Sequence, residues 1–277
     1  MAVLGLDIGA SKVYFVALEG NERVAEGVFE NSPPTTQKLV ETAGQIKTGL
    51  DAQKVAVEKV GIGAPGLPQD GTLSFSPNFV ELVNYPLAEK IGKIFGGVPT
   101  VIHNDANAFT YAEAALGAAA QLKNVVGLTL GSGLGGGLLI NGQLYVGKGG
   151  AEIGHTILNL RGNEEAEDLA SGKFFKKRGK DPKGVQDRAE SGDKKAQEIW
   201  EEFGGNLGYL IANIVNILDP EAVVLGGGIA AAYDLFIREV KKTAAEHIVS
   251  PTSKKVPILK SSLGPAAGAI GAALLAG

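Results

Sequence analysis

The strongest constraint on the fold of this 277-residue chain is an internal repeat of an apolar run that ends in glycine. Residues 125–131 have the same pattern as residues 3–9, and in both places two further apolar runs follow. Short apolar runs that end at glycine predict buried strands joined by tight turns, and recurrence of their order predicts two related halves. The sequence therefore predicts a duplicated α/β fold in which each half begins with a glycine-turned hairpin.

Longer helical patterns follow the strands in each half. In the first half we predict strands at residues 3–8, 12–18, 24–29, 57–62 and 98–103, and helices at 35–50, 87–94 and 106–116. In the second half we predict strands at residues 125–131, 134–140, 143–146, 222–225 and 256–259, and helices at 193–218, 230–247 and 266–275. We expect the polar segment 161–193 to be a solvated excursion. Two such halves would face each other across a cleft, where small ligands usually bind.

Composition excludes several classes of function. With 26 basic and 30 acidic residues the net charge is -4, so no basic excess is available to bind nucleic acid. The chain has no cysteine, which removes disulfides, thiol catalysis and cysteine-based zinc sites. The N-terminus lacks the pattern of a signal peptide, and the apolar segment 264–277 is shorter than the ~20 residues that span a membrane. We therefore expect a cytoplasmic protein that binds neither nucleic acid nor membrane.

Glycine is abundant, with 40 residues, and ten of them lie between Gly131 and Gly154. The first turn, Asp7-Ile-Gly-Ala-Ser-Lys12, offers a glycine for close approach, a hydroxyl and a positive charge, which suit a polyphosphate tail. Asp7 could hold Mg²⁺ through water. A plain hairpin turn explains Gly9 equally well, and the spacing is not that of a P-loop. A second such turn at Gly131 favours the phosphate hypothesis.

Three further motifs carry polar groups or glycines at predicted turns. Asn104-Asp105 follows a strand and opens a helix, so Asp105 is either a helix cap or a base that takes a proton from an attacking hydroxyl. Glu152 and His155 lie three residues apart in a glycine-rich loop, where surface or core side chains are the simpler interpretation. The triplet 226–228 could admit a nucleotide base or simply form a tight turn.

In this order, the motifs resemble the ROK family of sugar kinases and related repressors, within the actin-like ATPase superfamily. The resemblance covers nearly the whole chain, and it is most distinctive in Asn104-Asp-Ala-Asn followed by Gly150-Ala-Glu-Ile-Gly-His155. Gly61-Ile-Gly-Ala-Pro-Gly66 and Ser76-Pro-Asn78 also look like signatures of the family. The implied fold is a duplicated actin-like (ribonuclease H-like) α/β fold with two domains beside a central cleft. The expected domains are residues 1–105, completed by the helix at 265–277, and residues 106–264.

The resemblance implies a role for each matching residue. Asp105 matches the general base that deprotonates the sugar hydroxyl attacking the γ-phosphate of ATP. The implied sugar ligands are Asn78, Asn104, Glu152, His155 and Glu167. The implied ATP-binding residues are Asp7, Gly9, Ser11, Lys12, Gly131, Ser132, Gly133, Gly226, Gly227 and Gly228.

The resemblance also implies an ATP- and Mg²⁺-dependent hexokinase of carbohydrate metabolism and glycolysis, acting on glucose at its 6-hydroxyl. N-acetylmannosamine, N-acetylglucosamine, mannose and fructose stay open as substrates, as do ADP and polyphosphate as phosphoryl donors. A repressor of this family would carry an N-terminal helix-turn-helix, for which a first strand at Val3 leaves no room. A non-catalytic sugar-binding protein is the alternative from another class. A homodimer or homotetramer is expected.

One departure from the family concerns zinc. Many members carry a cysteine cluster between the histidine and the last glutamate, and that cluster binds structural zinc together with the histidine. Here the interval from His155 to Glu167 is short and has no cysteine. We therefore predict a member without structural zinc, in which the shortened loop orients His155.

Overall fold

A computed structural model describes residues 1–76, 79–148 and 150–277. By its internal contacts the chain divides into two compact units. Unit 1 comprises Met1–Gly117, Leu144–Gly150 and Leu263–Gly277, and unit 2 comprises Ala118–Gln143 and Ala151–Ser262. The C-terminal helix therefore belongs to the same unit as the N-terminus.

The structure alternates strands with helices along most of the chain. The strands are β1 (Ala2–Ile8), β2 (Lys12–Glu19), β3 (Glu22–Glu30), β4 (Val57–Ala64), β5 (Leu67–Gln69), β6 (Thr72–Phe75), β7 (Thr100–Asn104), β8 (Val125–Leu130), β9 (Leu134–Ile140), β10 (Gln143–Leu144), β11 (Ile157–Asn159), β12 (Glu164–Glu165), β13 (Ala222–Gly226) and β14 (Ile258–Lys260). The helices are α1 (Thr36–Ala52), α2 (Leu87–Ile94), α3 (Asp105–Ala115), α4 (Ala166–Ala170), α5 (Gly172–Lys177), α6 (Pro182–Glu190), α7 (Lys194–Leu218), α8 (Tyr233–His247) and α9 (Ala267–Ala276).

Two five-stranded sheets have the same topology. The first has the order β3-β2-β1-β4-β7 and the second β10-β9-β8-β13-β14. In each, the central strand pairs antiparallel with the next strand along the chain and parallel with the strand on its other side. The duplication predicted from the sequence is confirmed. Because β1 and β8 are central in their sheets, the glycine turn after each lies at the same place in its unit.

Within unit 1, helix α9 packs against β1, β4 and α3 at glycines, so that the backbones of these elements are in direct contact. A Cβ atom at Gly5 of β1 would collide with the carbonyl oxygen of Ala269 in α9. A Cβ at Gly61 of β4 would collide with Ala272 in the same way, and one at Gly271 would collide with the carbonyl oxygen of Ala108 in α3. Glycine is required at these positions because any side chain would push the elements apart.

The core of unit 2 is built around an aromatic cluster. Phe174 and Phe175 of α5 pack against Trp200 and Phe203 of α7, with ring centroids 4.7–5.7 Å apart. All four side chains are fully buried. The expectation of a solvated excursion at residues 161–193 is therefore wrong. This polar segment forms three short helices, α4, α5 and α6, and its two adjacent phenylalanines pack into the core.

The C-terminal helix is buried, as its small-residue composition predicts, and its residues from Ala267 to Ala273 are inaccessible to solvent. Within residues 1–76, 79–148 and 150–277, no helix combines the length and apolar character that crossing a bilayer requires.

The close contact at Gly271 predicts opposite effects for the same substitution in two helices. Gly271→Ala should lower the free energy of unfolding by about 1–3 kcal/mol, because the new methyl group overlaps the carbonyl of Ala108. Gly44→Ala in α1 should raise it by up to about 1 kcal/mol, because open space surrounds that position and alanine favours a helix. Urea unfolding of both variants measures the difference. Equal effects would mean that α9 does not make this contact.

Candidate active site

The first glycine turn joins β1 to β2 and is held by hydrogen bonds to its backbone. The N–H of Gly9 donates to the carbonyl of Lys12 at 2.9 Å. Asn31, at the end of β3, donates from Nδ2 to the carbonyl of Gly9 at 2.7 Å and from its backbone N–H to Ser11 at 2.8 Å. Asn31 is fully buried, whereas Ser11 and Lys12 are exposed. The turn therefore has a fixed backbone and an accessible hydroxyl and ammonium group.

Asp7 lies near the end of β1, just before this turn. Its carboxylate packs against the first turn of α9, where a Cβ at Gly268 would collide with Oδ2. Burial raises the pKa of Asp7 to about 7, and the nearby charge of Asp105 contributes to the same shift. Unit 1 thus holds two carboxylates close enough to repel each other. Carboxylate oxygens are the ligands that Mg²⁺ prefers in proteins, so this pair of side chains fits that ion.

Asn104 is the cap of helix α3, and Asp105 is its first residue. The Oδ1 of Asn104 accepts from the N–H of Asn107 at 3.1 Å, and its Nδ2 donates to the carbonyl of Gly66 at 3.2 Å. The Oδ1 of Asp105 accepts from the N–H of Ala106 at 2.9 Å. The cap that the sequence pattern allowed at Asp105 is therefore made by its neighbour Asn104.

The loop that contains Gly66 is held in place by Ser76, a buried residue whose Oγ donates to the carbonyl of Pro65 at 2.6 Å. Gly66 has a positive φ of 134°, and a Cβ there would collide with the backbone of Phe75. The predicted sugar ligand Asn78 lies outside the described residues.

The second glycine turn joins β8 to β9 in unit 2. The N–H of Gly131 donates to the carbonyl of Gly133 at 2.9 Å, so this bond spans one residue fewer than the bond of the first turn. The N–H of Gly172 donates to the carbonyl of Gly131 at 2.8 Å, and Ser171 donates from Oγ to the carbonyl of Ser132 at 3.3 Å. Helices α4 and α5 meet at this point and hold the turn, while the Ser132 side chain stays exposed.

Glu167 also supports the second turn. Its Oε2 accepts from the N–H of Leu134 at 2.8 Å, and a Cβ at Gly133 would collide with it. The other carboxylate oxygen forms an ion pair with Lys173, and this pair raises the pKa of the lysine. The predicted sugar ligand thus already has two partners within its own unit. Lys173 places a positive charge beside the turn, which sequence reasoning missed.

His155 ends a single 3₁₀ turn, Ile153–His155, that packs over strand β9. Contact is close because a Cβ at Gly154 would collide with the carbonyl of Leu134. The Nδ1 of His155 lies 2.7 Å from Oε2 of Glu165, and this partner raises the pKa of the imidazole. Glu167 and Glu152 raise it further, while burial acts in the opposite direction. The structure therefore brings His155, Glu152 and Glu167 into one electrostatic neighbourhood.

The glycine triplet follows β13 and lies against the end of β8. Gly227 has a φ of 83°, and a Cβ there would collide with the backbone of Leu130, the residue before the second turn. Gly228 faces open space and starts the 3₁₀ turn Gly228–Ala232. Gly227 is thus required for the strand-to-helix turn, whereas Gly228 leaves room for a ligand.

The residues present do not fit a zinc site of the kind that many relatives of the resembled family carry. Cysteine is absent from the whole chain, and Nδ1 of His155 is already engaged by Glu165. In the part of the chain that the structure describes, no group of three or more histidine, aspartate or glutamate residues is arranged to hold a metal ion.

Residues 3–277 match the sequence model described as the ROK family. Among curated proteins, a glucokinase from Thermotoga maritima is 28% identical over 99% of this chain and 96% of its own length. An N-acetyl-D-glucosamine kinase from Vibrio cholerae is 32% identical over 98% of this chain and 98% of its own length.

One solved structure shares the fold over nearly its full length. It is a ROK family glucokinase from Streptomyces griseus in complex with glucose and AMPPNP, with a TM-score of 0.85 and 28% identity. The match covers 100% of this chain and 99% of that one. The duplicated actin-like ATPase fold predicted from the sequence is therefore confirmed.

Asp7 predicts an unusual dependence of stability on pH. Because its pKa rises from 3.8 to about 7 on folding, the folded state binds one more proton than the unfolded state between these values. Stability contributed by this group therefore falls as pH rises from about 4 to 7 and is constant above. Asp7→Asn imitates the protonated form, so it should exceed the wild type in unfolding free energy at pH 8 by up to about 4 kcal/mol.

Urea unfolding between pH 5 and 8.5, with divalent cations chelated, measures this difference. Asp51→Asn is the control, because Asp51 lies on the exposed face of α1 in an ion pair with Lys47. A gap between Asp7→Asn and the wild type that does not widen with pH would contradict the burial of an acidic pair.

The absence of cysteine and the engagement of His155 Nδ1 by Glu165 predict that the protein contains no stoichiometric zinc. Protein purified from cells grown with added zinc should contain far less than one zinc per chain by elemental analysis. Zinc in a stoichiometric amount that survives dialysis would contradict this prediction.

Proposed function

The chain belongs to the ROK family and is a sugar kinase, and we propose that it transfers the γ-phosphoryl group of ATP to the 6-hydroxyl of a hexose. Glucose is the substrate we favour, and the activity belongs to the cytoplasm, where ATP is available. The observation that carries the proposal is the arrangement at the start of α3. Asn104 makes the helix cap, and Asp105 lies in unit 1 within electrostatic reach of Asp7.

Asp105 is the proposed general base. Its carboxylate accepts the proton of the attacking hydroxyl as the oxygen bonds to the γ-phosphorus, and ADP leaves on the opposite side. Asp105 lies in the first turn of α3, where the helix dipole favours a negatively charged group. Mg²⁺ would neutralise charge on the phosphates, and Asp7 is the residue we expect to hold it through water.

The two glycine turns are proposed to bind the phosphates of ATP. In the first, Ser11 and Lys12 are exposed above a backbone that Asn31 holds in place. In the second, Ser132 is exposed above a backbone held from α4 and α5. Fixed backbone N–H groups and a nearby cation are the usual way to bind phosphate without a P-loop. Gly226, Gly227 and Gly228 are proposed for the adenosine side.

The proposed sugar ligands are Asn78, Asn104, Glu152, His155 and Glu167. Polar groups that each pair with one hydroxyl reject a sugar that lacks it, because the group is then left unsatisfied. N-acetylglucosamine is the second candidate substrate, since the kinase from Vibrio cholerae is named for it and shares 32% identity.

A coupled ADP-release assay over a panel of sugars tests the proposal. The panel contains glucose, mannose, fructose, N-acetylglucosamine and N-acetylmannosamine, each with ATP, ADP or polyphosphate as donor. We expect turnover with ATP and at least one hexose. If no sugar stimulates turnover above the rate with water, the kinase proposal is wrong and a non-catalytic sugar-binding protein becomes the better account.

Asp105→Ala should reduce kcat by about 10²–10⁴-fold, the usual contribution of a general base, while the protein stays folded because Asn104 still caps α3. Glu89→Ala is the matched control. Glu89 is also an acidic residue in the first turn of a helix, and it pairs only with Lys93 among the described residues. Retention of more than about a tenth of wild-type kcat by Asp105→Ala would exclude the base assignment.

A further inference from the structure

The segment between His155 and Glu167 is a hairpin that supports itself. Strands β11 and β12 pair antiparallel, and Asn159 closes the turn between them. Its Oδ1 accepts from the N–H groups of Arg161 and Gly162, both at 3.2 Å, and its Nδ2 donates to Glu164 at 2.9 Å. Lys177 of α5 pairs with Glu164 from outside the hairpin at 3.3 Å. A short polar loop therefore has a defined shape without any metal.

Glu165 is held at the end of this hairpin by its own backbone. Its N–H donates to Oδ2 of Asp168 at 3.2 Å, which makes it the cap of helix α4. Asp168 in turn pairs with Lys177 at 3.3 Å. The next residue, Ala166, donates its N–H to the carbonyl of Thr156 at 2.8 Å, directly after His155. Glu165 and His155 are therefore fixed side by side across the base of the hairpin.

The imidazole of His155 uses one nitrogen for this contact. Its Nδ1 lies 2.7 Å from Oε2 of Glu165, a distance typical of a charge-assisted hydrogen bond. Within the described residues, no hydrogen bond engages Nε2, and the side chain is 48% exposed. Which nitrogen of a neutral histidine carries the proton is set by the hydrogen bond that the other one makes. A carboxylate can only accept, so the proton belongs on Nδ1 and the lone pair on Nε2.

We propose that Glu165 is a positioning residue that holds His155 with Nδ1 protonated and Nε2 turned to a sugar hydroxyl as an acceptor. The inference rests on the proposed sugar-kinase function, and it adds a residue that none of the sequence motifs contains.

The hydrogen bond between Glu165 and His155 orients the imidazole ring and contributes little to the stability of the fold. Glu165 is 34% exposed and His155 is 48% exposed, and ion pairs between exposed side chains contribute little to stability. Removal of the Glu165 carboxylate should therefore lower the unfolding midpoint only by what the cap of helix α4 contributes, while it frees the imidazole ring to rotate and to exchange tautomers. Glu167 and Glu152 also face the ring, so the charge of the pocket stays negative in the variant.

Two readouts test the proposal. The first is the tautomer of His155 in long-range ¹H–¹⁵N spectra of the whole protein between pH 6 and 9.5. The chain has three histidines, so His155→Gln identifies the signal. We expect the Nδ1–H form in the wild type, predominantly the Nε2–H form in Glu165→Ala, and partial return of the Nδ1–H form in Glu165→Gln, whose amide oxygen still accepts.

The second readout is kinetic. Glu165→Ala should raise KM for the sugar about tenfold, the loss expected when a charged hydrogen-bond partner is removed, with KM for ATP unchanged. Glu165→Gln should recover part of the loss. Glu164→Gln is the matched control on the same hairpin, since Glu164 contacts Asn159 and Lys177 but not His155. It should change neither the tautomer nor KM for the sugar.

The outcomes distinguish failure of the positioning role of Glu165 from failure of the proposed sugar-kinase function. A wild-type His155 in the Nε2–H form, or a tautomer that does not respond to Glu165→Ala, overturns the positioning role whatever the activity. Equal effects of Glu165→Ala and Glu164→Gln overturn it as well, because they would indicate a purely structural role for the hairpin. A wild type that phosphorylates no sugar overturns the proposed function and the sugar-binding part of this inference, while the spectra still decide whether Glu165 sets the tautomer.

Discussion

Close approach of main chain to main chain around helix α9 is the contact on which unit 1 depends. Gly5, Gly61 and Gly271 let the helix lie directly on β1, β4 and α3, at positions where a methyl group would not fit. The same approach places Gly268 against the carboxylate of Asp7 and removes that group from water. Core packing and site chemistry are therefore linked, because the helix α9 that completes the core of unit 1 also buries Asp7 and raises its pKa.

The two units hold their glycine turns by different means. In unit 1 a single buried amide, Asn31, bonds the first turn from the end of β3. In unit 2 the second turn is held from α4 and α5, through Ser171, Gly172 and the carboxylate of Glu167. The sheets repeat the same topology, but the polar contacts around the turns do not. Both units thus have a glycine turn at the same place in the sheet, but different side chains support the two turns.

We expect the two acids that unit 1 keeps together to lower its stability. Asp7 and Asp105 repel each other, and neither acid could be replaced by an amide without loss of its proposed role in metal binding or proton transfer. Such local conflict between stability and chemistry is common at functional sites. In unit 2 lysines lie among the acids instead, because Lys173 pairs with Glu167 and Lys177 pairs with Glu164 and Asp168.

Periodicity and glycines in the sequence determined the duplicated α/β fold, the succession of strands along each repeat and the position of both turns, because these depend on local pattern. Resemblance of the sequence motifs to the ROK family predicted Asp105, His155 and Glu167 as site residues. Tertiary structure alone revealed that Asn104 makes the helix cap and that Asn31 and Glu165 support site residues. It also revealed that the segment 161–193 contains three short helices, with Phe174 and Phe175 in the core. Such partners are decided by which atoms meet in space. A hydrogen bond between residues 9 and 31, or between 155 and 165, leaves no periodic trace in a sequence.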